Sequence, residues 1–367
     1  MTEDSSGSDA KINNSRWSFL KWGIGAVVVG AGVIYEANEY LKKTEGPHEV
    51  FNIQGTDVKI SWTEFGESKD PTESLVCITG WPYTPKDESE DQLPKSLASA
   101  FSERCLNISV SSRYSDPESL RKQAEAMMLF LQKRGVKKIP ALVGQSAGAL
   151  IAGYMAVMEN SPVKTDEVVF VNPRGLDQLE VCKLMKVFAS DMAIVTPAER
   201  KYISDPKSTY KKRKDAPGPG ATGFGFLKSL GREIQATGGH LWGGTRSRVN
   251  LLTNKDDVFK GIKIPVTLML GEKDEVSSYR NMFRDAVPDL EIENVLTNRG
   301  RLNDVGRERL LAGLFPQAET KRMLIYGVPD DEQGRHRGRA SDHGASPGPL
   351  RDSMANTIRR FVTRKVA

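Results

Sequence analysis

Apolar and polar residues alternate over Val50–Ile53 and Val58–Glu64, on either side of a turn at Gly55-Thr56. A period of two flanking a glycine turn predicts a β-hairpin. Downstream the pattern changes to short, largely apolar runs: Leu75–Thr79, Leu106–Val110, Ile139–Val143, Glu167–Val171, Ile264–Leu270 and Met323–Tyr326. Such runs are what strands buried on both faces look like. Helical stretches lie between them. Asp116-Pro117 reads as an N-cap followed by proline at the first helical position, and Leu120, Ala124, Met127 and Leu131 then line one face. Ala149–Met158 is apolar throughout, and Gln178–Ser190 is a further predicted helix. Strands separated by helices predict an α/β fold with a mostly parallel sheet and flanking helices. The rhythm stops between Gly175 and Gly261, where the basic run Lys211-Lys212-Arg213-Lys214 and a Gly/Pro-rich stretch at 217–226 fall. Residues 176–260 read as a cap inserted over the C-terminal edge of the sheet, between core segments 47–175 and 261–367. A second insertion is expected at about Asp289 to Glu319.

The N-terminus departs from the rest. Trp17–Tyr35 carries one charge, Lys21, and its 19 residues span roughly 28 Å as a helix, close to the hydrocarbon thickness of a bilayer. Trp17 and Trp22 mark one end and Tyr35 and Tyr40 the other, as interfacial aromatics do. We read residues 1–16 as a polar tail and 17–40 as a single-pass transmembrane anchor helix with its spacer, placing the protein at a membrane. A cleaved signal peptide and a buried glycine-rich helix are the alternatives. Lys11, Arg16 and Lys21 against Lys42 and Lys43 lean toward a cytoplasmic N-terminus.

Composition excludes several classes. With 38% hydrophobic and 27% charged residues the chain is no polytopic membrane protein, collagen or disulfide scaffold. The 52 basic and 47 acidic residues leave a charge of +5, too little to argue a nucleic-acid partner. The basic run at 211–214 reads as a solvated loop, with anionic lipid or an acidic ligand as the sharper alternative. Cys77, Cys105 and Cys182 fall in or beside apolar or helical runs and read as buried thiols.

The chemistry centres on Gly144-Gln145-Ser146-Ala147-Gly148, between an apolar strand and an apolar helix. A nucleophile on so sharp a turn needs small neighbours, and glycines two before and two after supply them. The following helix turns its N-terminal N–H groups toward the same point, which favours developing negative charge. No Walker loop, dinucleotide fingerprint or metal-ligand spacing accompanies this motif, and no cofactor is expected.

With these pieces in order (LVCITGWPYTP, ALVGQSAGAL, IPVTLMLGEKDEV, SDHGASP), the chain from Val50 onward resembles the α/β-hydrolase superfamily, serine hydrolase type. The resemblance implies Ser146 as nucleophile, Asp274 in Gly271-x-x-Asp274 as the acid, and a histidine after the last strand as base. His343 in Asp342-His343-Gly344 matches best, with His336 and His240 as alternatives; His48 precedes the sheet. Asp256 and Asp257 are the less suitable acids. The oxyanion hole would use the backbone N–H groups of Ala147 and Trp81, although the family's usual His-Gly is Thr79-Gly80 here. Taking Leu290–Leu296 as the last strand would leave the catalytic-loop position at Asn298–Arg301, without a histidine. The later strand is preferred because Phe315-Pro316-Gln317-Ala318 resembles the usual approach to it. The resulting expectation is a carboxylic ester hydrolase, esterase- or lipase-like. It would cleave an ester, thioester or amide of a small acyl substrate through an acyl-enzyme. A non-catalytic binding protein and an acyltransferase on the same scaffold are the rivals.

Overall fold

The computed structural model describes residues 47–80, 92–112, 117–178, 255–272, 274, 276–298, 300–326 and 348–363. Eight strands form one sheet among them. The hairpin pairs β1 (His48–Ile53) antiparallel with β2 (Thr56–Phe65). Gln54 and Gly55 make the turn with positive φ, and the Asn52 side-chain oxygen accepts the Gly55 N–H at 3.1 Å. The chain continues through β3 (Leu75–Ile78), α1 (Gln92–Phe101), β4 (Cys105–Ser112), α2 (Pro117–Lys133), β5 (Lys138–Ile139), β6 (Leu142–Gln145), α3 (Gly148–Ala156), β7 (Lys164–Thr165) and β8 (Val168–Val171). After residue 255 come β9 (Val266–Gly271), α4 (Tyr279–Ala286), α5 (Asp304–Leu314), β10 (Lys321–Tyr326) and α6 (Gly348–Thr363).

The sheet order is β1-β2-β4-β3-β6-β8-β9-β10. Every pairing from β4 to β10 is parallel, and only β2 runs against the rest. The apolar runs alternate between two cores. Val76, Ile78, Leu142, Val168, Phe170, Leu268 and Leu270 face one core, which α2, α3, α4 and α5 cover. Leu75, Cys77, Val143, Val169, Val171 and Met269 face the other, under α1 and α6. Burial on both faces is why these strands carry no polar alternation. Cys77 and Cys105 are buried free thiols, as expected, and burial pushes the Cys77 thiol up to about 12.

Three expectations need correction. The run Ile139–Val143 is not one strand. Pro140, which has no N–H to donate, separates β5 from β6, and β5 pairs instead with β7 in a separate two-stranded sheet. The stretch Asp289 to Glu319 is not an insertion but the crossover that two parallel neighbours require. Its helix α5 is capped by Asn303, whose side-chain oxygen accepts the Gly306 N–H at 2.9 Å, and buries Leu310, Leu311 and Leu314. Leu290–Leu296 is therefore no strand: Ile292–Val295 is a single 3-10 turn, and β10, parallel to β9, is the last strand among the described residues. His48 does not precede the sheet but begins β1, exposed at its edge.

All but the first residue of the helix expected at Gln178–Ser190, the basic run and the Gly/Pro-rich stretch lie outside the described residues, as does Trp17–Tyr35. Among the described residues no helix is long and apolar enough to cross a membrane.

Candidate active site

The parallel strands end together at one edge, and the candidate residues gather there. Ser146 follows β6 directly with φ +49°, a left-handed backbone that L-residues with a Cβ adopt at a cost of about 1–2 kcal/mol. Hydrogen bonds hold it there. Its N–H donates to Val171 O at 3.0 Å, and its carbonyl accepts from Ala149 N at 3.1 Å and Arg174 N at 3.0 Å. The strain is what a sharp strand-to-helix turn demands, and it raises the serine above the strand end.

The flanking glycines make the turn possible by close approach. A Cβ on Gly144 would lie 2.7 Å from Ala149 Cα, and one on Gly148 would lie 2.3 Å from Ile78 O and 2.8 Å from Thr79 O. Gly148→Ala is accordingly expected to push α3 off the end of β3. The destabilisation should be about 1–3 kcal/mol, read as a fall in melting temperature; an unchanged melting temperature would refute the close approach. Gln145 is buried at the end of β6, and Ala147 begins the helix with φ −63° and ψ −27°. The first N–H groups of any helix lack intrahelical acceptors, so this end of α3 faces the serine with donors. The loop after β3 comes to the same place: a Cβ on Gly80 would sit 2.6 Å from Ser146 Cβ. Trp81, the next residue, lies outside the described residues.

Asp274 follows β9 and is 3% exposed. Its Oδ1 accepts from Val276 N at 2.8 Å and Ser277 N at 3.1 Å, which folds the segment into a tight acid turn. That turn is tied to the end of β8. Ser277 Oγ donates to Asn172 O at 3.0 Å, and the Arg174 guanidinium donates to Val276 O. Asn172 has φ +45°, the second strained residue at this edge. Its Oδ1 accepts the Gly271 N–H at 2.7 Å and its Nδ2 donates to the Tyr326 hydroxyl, so one side chain joins the ends of β8, β9 and β10.

Ser146 and Asp274 thus follow strands on either side of β8, and the segment after β8 is bonded to both turns. The base cannot be placed in the same way, because His343, His336 and His240 all lie outside the described residues. His48 is the described histidine, and β2, β4 and β3 stand between its strand and β6. At about 4.8 Å per strand that is roughly 19 Å, too far to reach Ser146. Asp256 caps the short helix at Asp257–Gly261 by accepting the Val258 N–H, and Asp257 pairs with Lys260 at 2.9 Å; both already have structural work.

Sequence reading missed Asn172, Arg174, Asp177 and Tyr326. The available signal was an Asn-Pro-Arg-Gly-Leu-Asp run placed immediately after an apolar strand, polar residues where the sheet edge opens.

No family model matches the chain, and no curated protein matches it. Solved structures do. A bromoperoxidase from Bacillus anthracis is 12% identical with a TM-score of 0.46, covering 87% of this chain and 100% of that one. An esterase from Exiguobacterium antarcticum is 12% identical at 0.46, covering 86% and 99%. A membrane phospholipase A described as a bacterial virulence factor is 15% identical at 0.47, covering 96% and 98%. Resemblance at this level assigns no activity. The fold rests on the chain's own features: a mostly parallel sheet with helices on both faces, a strained serine between β6 and α3 flanked by close-packed glycines, and an acid turn after a later strand. With these in place, the chain has the α/β-hydrolase fold.

Proposed function

We propose that the protein is a serine hydrolase that cleaves a carboxylic ester, thioester or amide through an acyl-enzyme. The observation that carries this reading is the positive φ of Ser146 on a turn stripped of neighbouring side chains. A buried strained serine at a helix N-terminus has little use in a purely structural turn. Ser146 Oγ would attack the acyl carbon while the base, assigned to His343, takes its proton. Asp274 would orient the imidazole and stabilise its cation. The backbone N–H groups of Ala147 and Trp81 would hold the tetrahedral oxygen. The imidazolium then returns its proton to the leaving group, and water repeats the cycle on the acyl-enzyme.

The test is covalent capture by a fluorophosphonate. The wild-type chain should be labelled and Ser146→Ala should not; an unlabelled wild type would favour a non-catalytic binding protein.

Residues 176–260 are proposed to cap this edge. The ends of that segment meet: Asp256 N donates to Gly175 O at 2.8 Å, and Gln178 N donates to the Asp285 carboxylate at 3.1 Å. The chain therefore leaves and rejoins the fold beside the acid turn. Residues 17–35 are proposed as a membrane anchor, supported by their length, their single charge and their terminal aromatics. Expressed whole, the chain should stay with membranes through detergent-free extraction and salt washing, and deletion of residues 1–40 should release it. Equal solubility of both forms would sink the anchor.

A further inference from the structure

Among the described residues, Arg174 is the largest side chain with no exposed surface. A fully buried guanidinium is costly unless it is paired and hydrogen-bonded. Here it pairs with Asp177 Oδ1 at 2.8 Å, and that carboxylate is equally buried. The pair spans the candidate site. The Arg174 backbone N–H donates to the carbonyl of Ser146 at 3.0 Å, on the strained turn. The Arg174 side chain donates to the carbonyl of Val276, whose own N–H is held by Asp274 at 2.8 Å. A single residue thus grips the nucleophile turn with its main chain and the acid turn with its side chain.

Resting on the hydrolase reading above, we propose that Arg174 is a positioning residue, locked by Asp177, that sets the placement of Asp274 relative to Ser146. The guanidinium suits this task because a single planar nitrogen carries two N–H donors at a fixed angle, one for each acceptor. Asp177 keeps it in register by pulling on the same nitrogen that bonds Val276. Burial holds the Asp177 carboxyl above its usual range, opposed by Arg174, with Asp274 and Asp285 pushing it the same way as burial. The elements concerned come from segments about a hundred positions apart, so the contact exists only in the folded chain.

The test replaces the pair by apolar residues of similar size, Arg174→Met with Asp177→Leu. Exchanging a buried ion pair for a packed apolar pair is commonly neutral or stabilising, so folding and positioning separate. The exchange also removes one charge of each sign, so net charge does not shift the base. Phosphonylation rate is measured from pH 5 to 9 in the full chain, alongside melting temperature. With its tether gone, Asp274 would stabilise the imidazolium less. The double variant should label at least about ten-fold more slowly at the plateau, with its pH midpoint moved down. Labelling at the wild-type rate, or slowed labelling at an unchanged midpoint, would overturn the proposal while leaving Ser146 as nucleophile. An unlabelled wild type would overturn both. Should the double variant fail to fold, Arg174→Lys decides. An ammonium has rotatable donors on a flexible stem in place of a planar pair fixed in direction, so the same slowing and downward shift are expected, and wild-type behaviour would refute the assignment.

Discussion

Ser146→Ala is expected to lower turnover of a p-nitrophenyl ester by about a million-fold, the scale seen when a triad serine is removed from a hydrolase. Alanine has no oxygen to form the acyl-enzyme. The oxyanion donors and the bound geometry survive, so a residual acceleration of about a thousand-fold over water should remain. The fold should be untouched. Serine already bears the cost of φ +49°, and its backbone bonds to Val171, Ala149 and Arg174 do not involve the side chain. Loss of activity at an unchanged melting temperature is the expected pair of readings. Turnover above about a tenth of wild type would place the nucleophile elsewhere.

Asp274→Asn is expected to lower kcat by about a thousand- to ten-thousand-fold with a smaller change in KM. The substitution is chosen for what it keeps. Asn retains an oxygen able to accept from the Val276 and Ser277 N–H groups, so the acid turn holds its shape. What is lost is the negative charge that would stabilise the imidazolium and fix its tautomer. Stability should hold or rise slightly, because Asp274 pushes against the buried Asp177 carboxyl and the push is relieved. Asp274→Ala would be less informative, since two buried N–H groups would lose their acceptor and destabilise the turn by about 1–3 kcal/mol each. Steady-state kinetics and a melting curve on the Asn variant check both halves. Full activity would move the acid to another residue.

Much of the sheet was legible because burial on both faces leaves a plain mark. LVCI at β3 and VVFV at β8 cannot sit anywhere but inside. The elbow was legible because its constraints are local: glycines within two residues of Ser146 make the space, and the adjoining helix supplies the donors. The helices were read less well. In α5 Gly306 lies against Leu302 and Val295, and Gly313 against Ala286, where a Cβ would come within 2.5 Å of the Ala286 oxygen. Glycine inside a helix reads as a break until its neighbour is known. Pro140 was passed over inside an apolar run, although a missing donor is enough to end a strand.

The tethers behind the site were not legible at all. Asn172 binds Tyr326, and Arg174 binds Val276, across 154 and 102 positions of chain. Polar groups buried this deeply declare themselves only through their partners, and those partners come from other strands. The same reasoning explains why the base was the least legible member of the proposed triad. A histidine's role depends on which loop brings it to the serine, and no spacing within the sequence fixes that.

The proposed chemistry requires Ser146 Oγ to be the attacking atom. Mass mapping of the fluorophosphonate-treated chain tests this most directly. A single adduct is expected on the peptide carrying Gly144–Gly148, located to Ser146 and absent from Ser146→Ala. An adduct on any other residue of the wild type, or one that persists on Ser146→Ala, would contradict it.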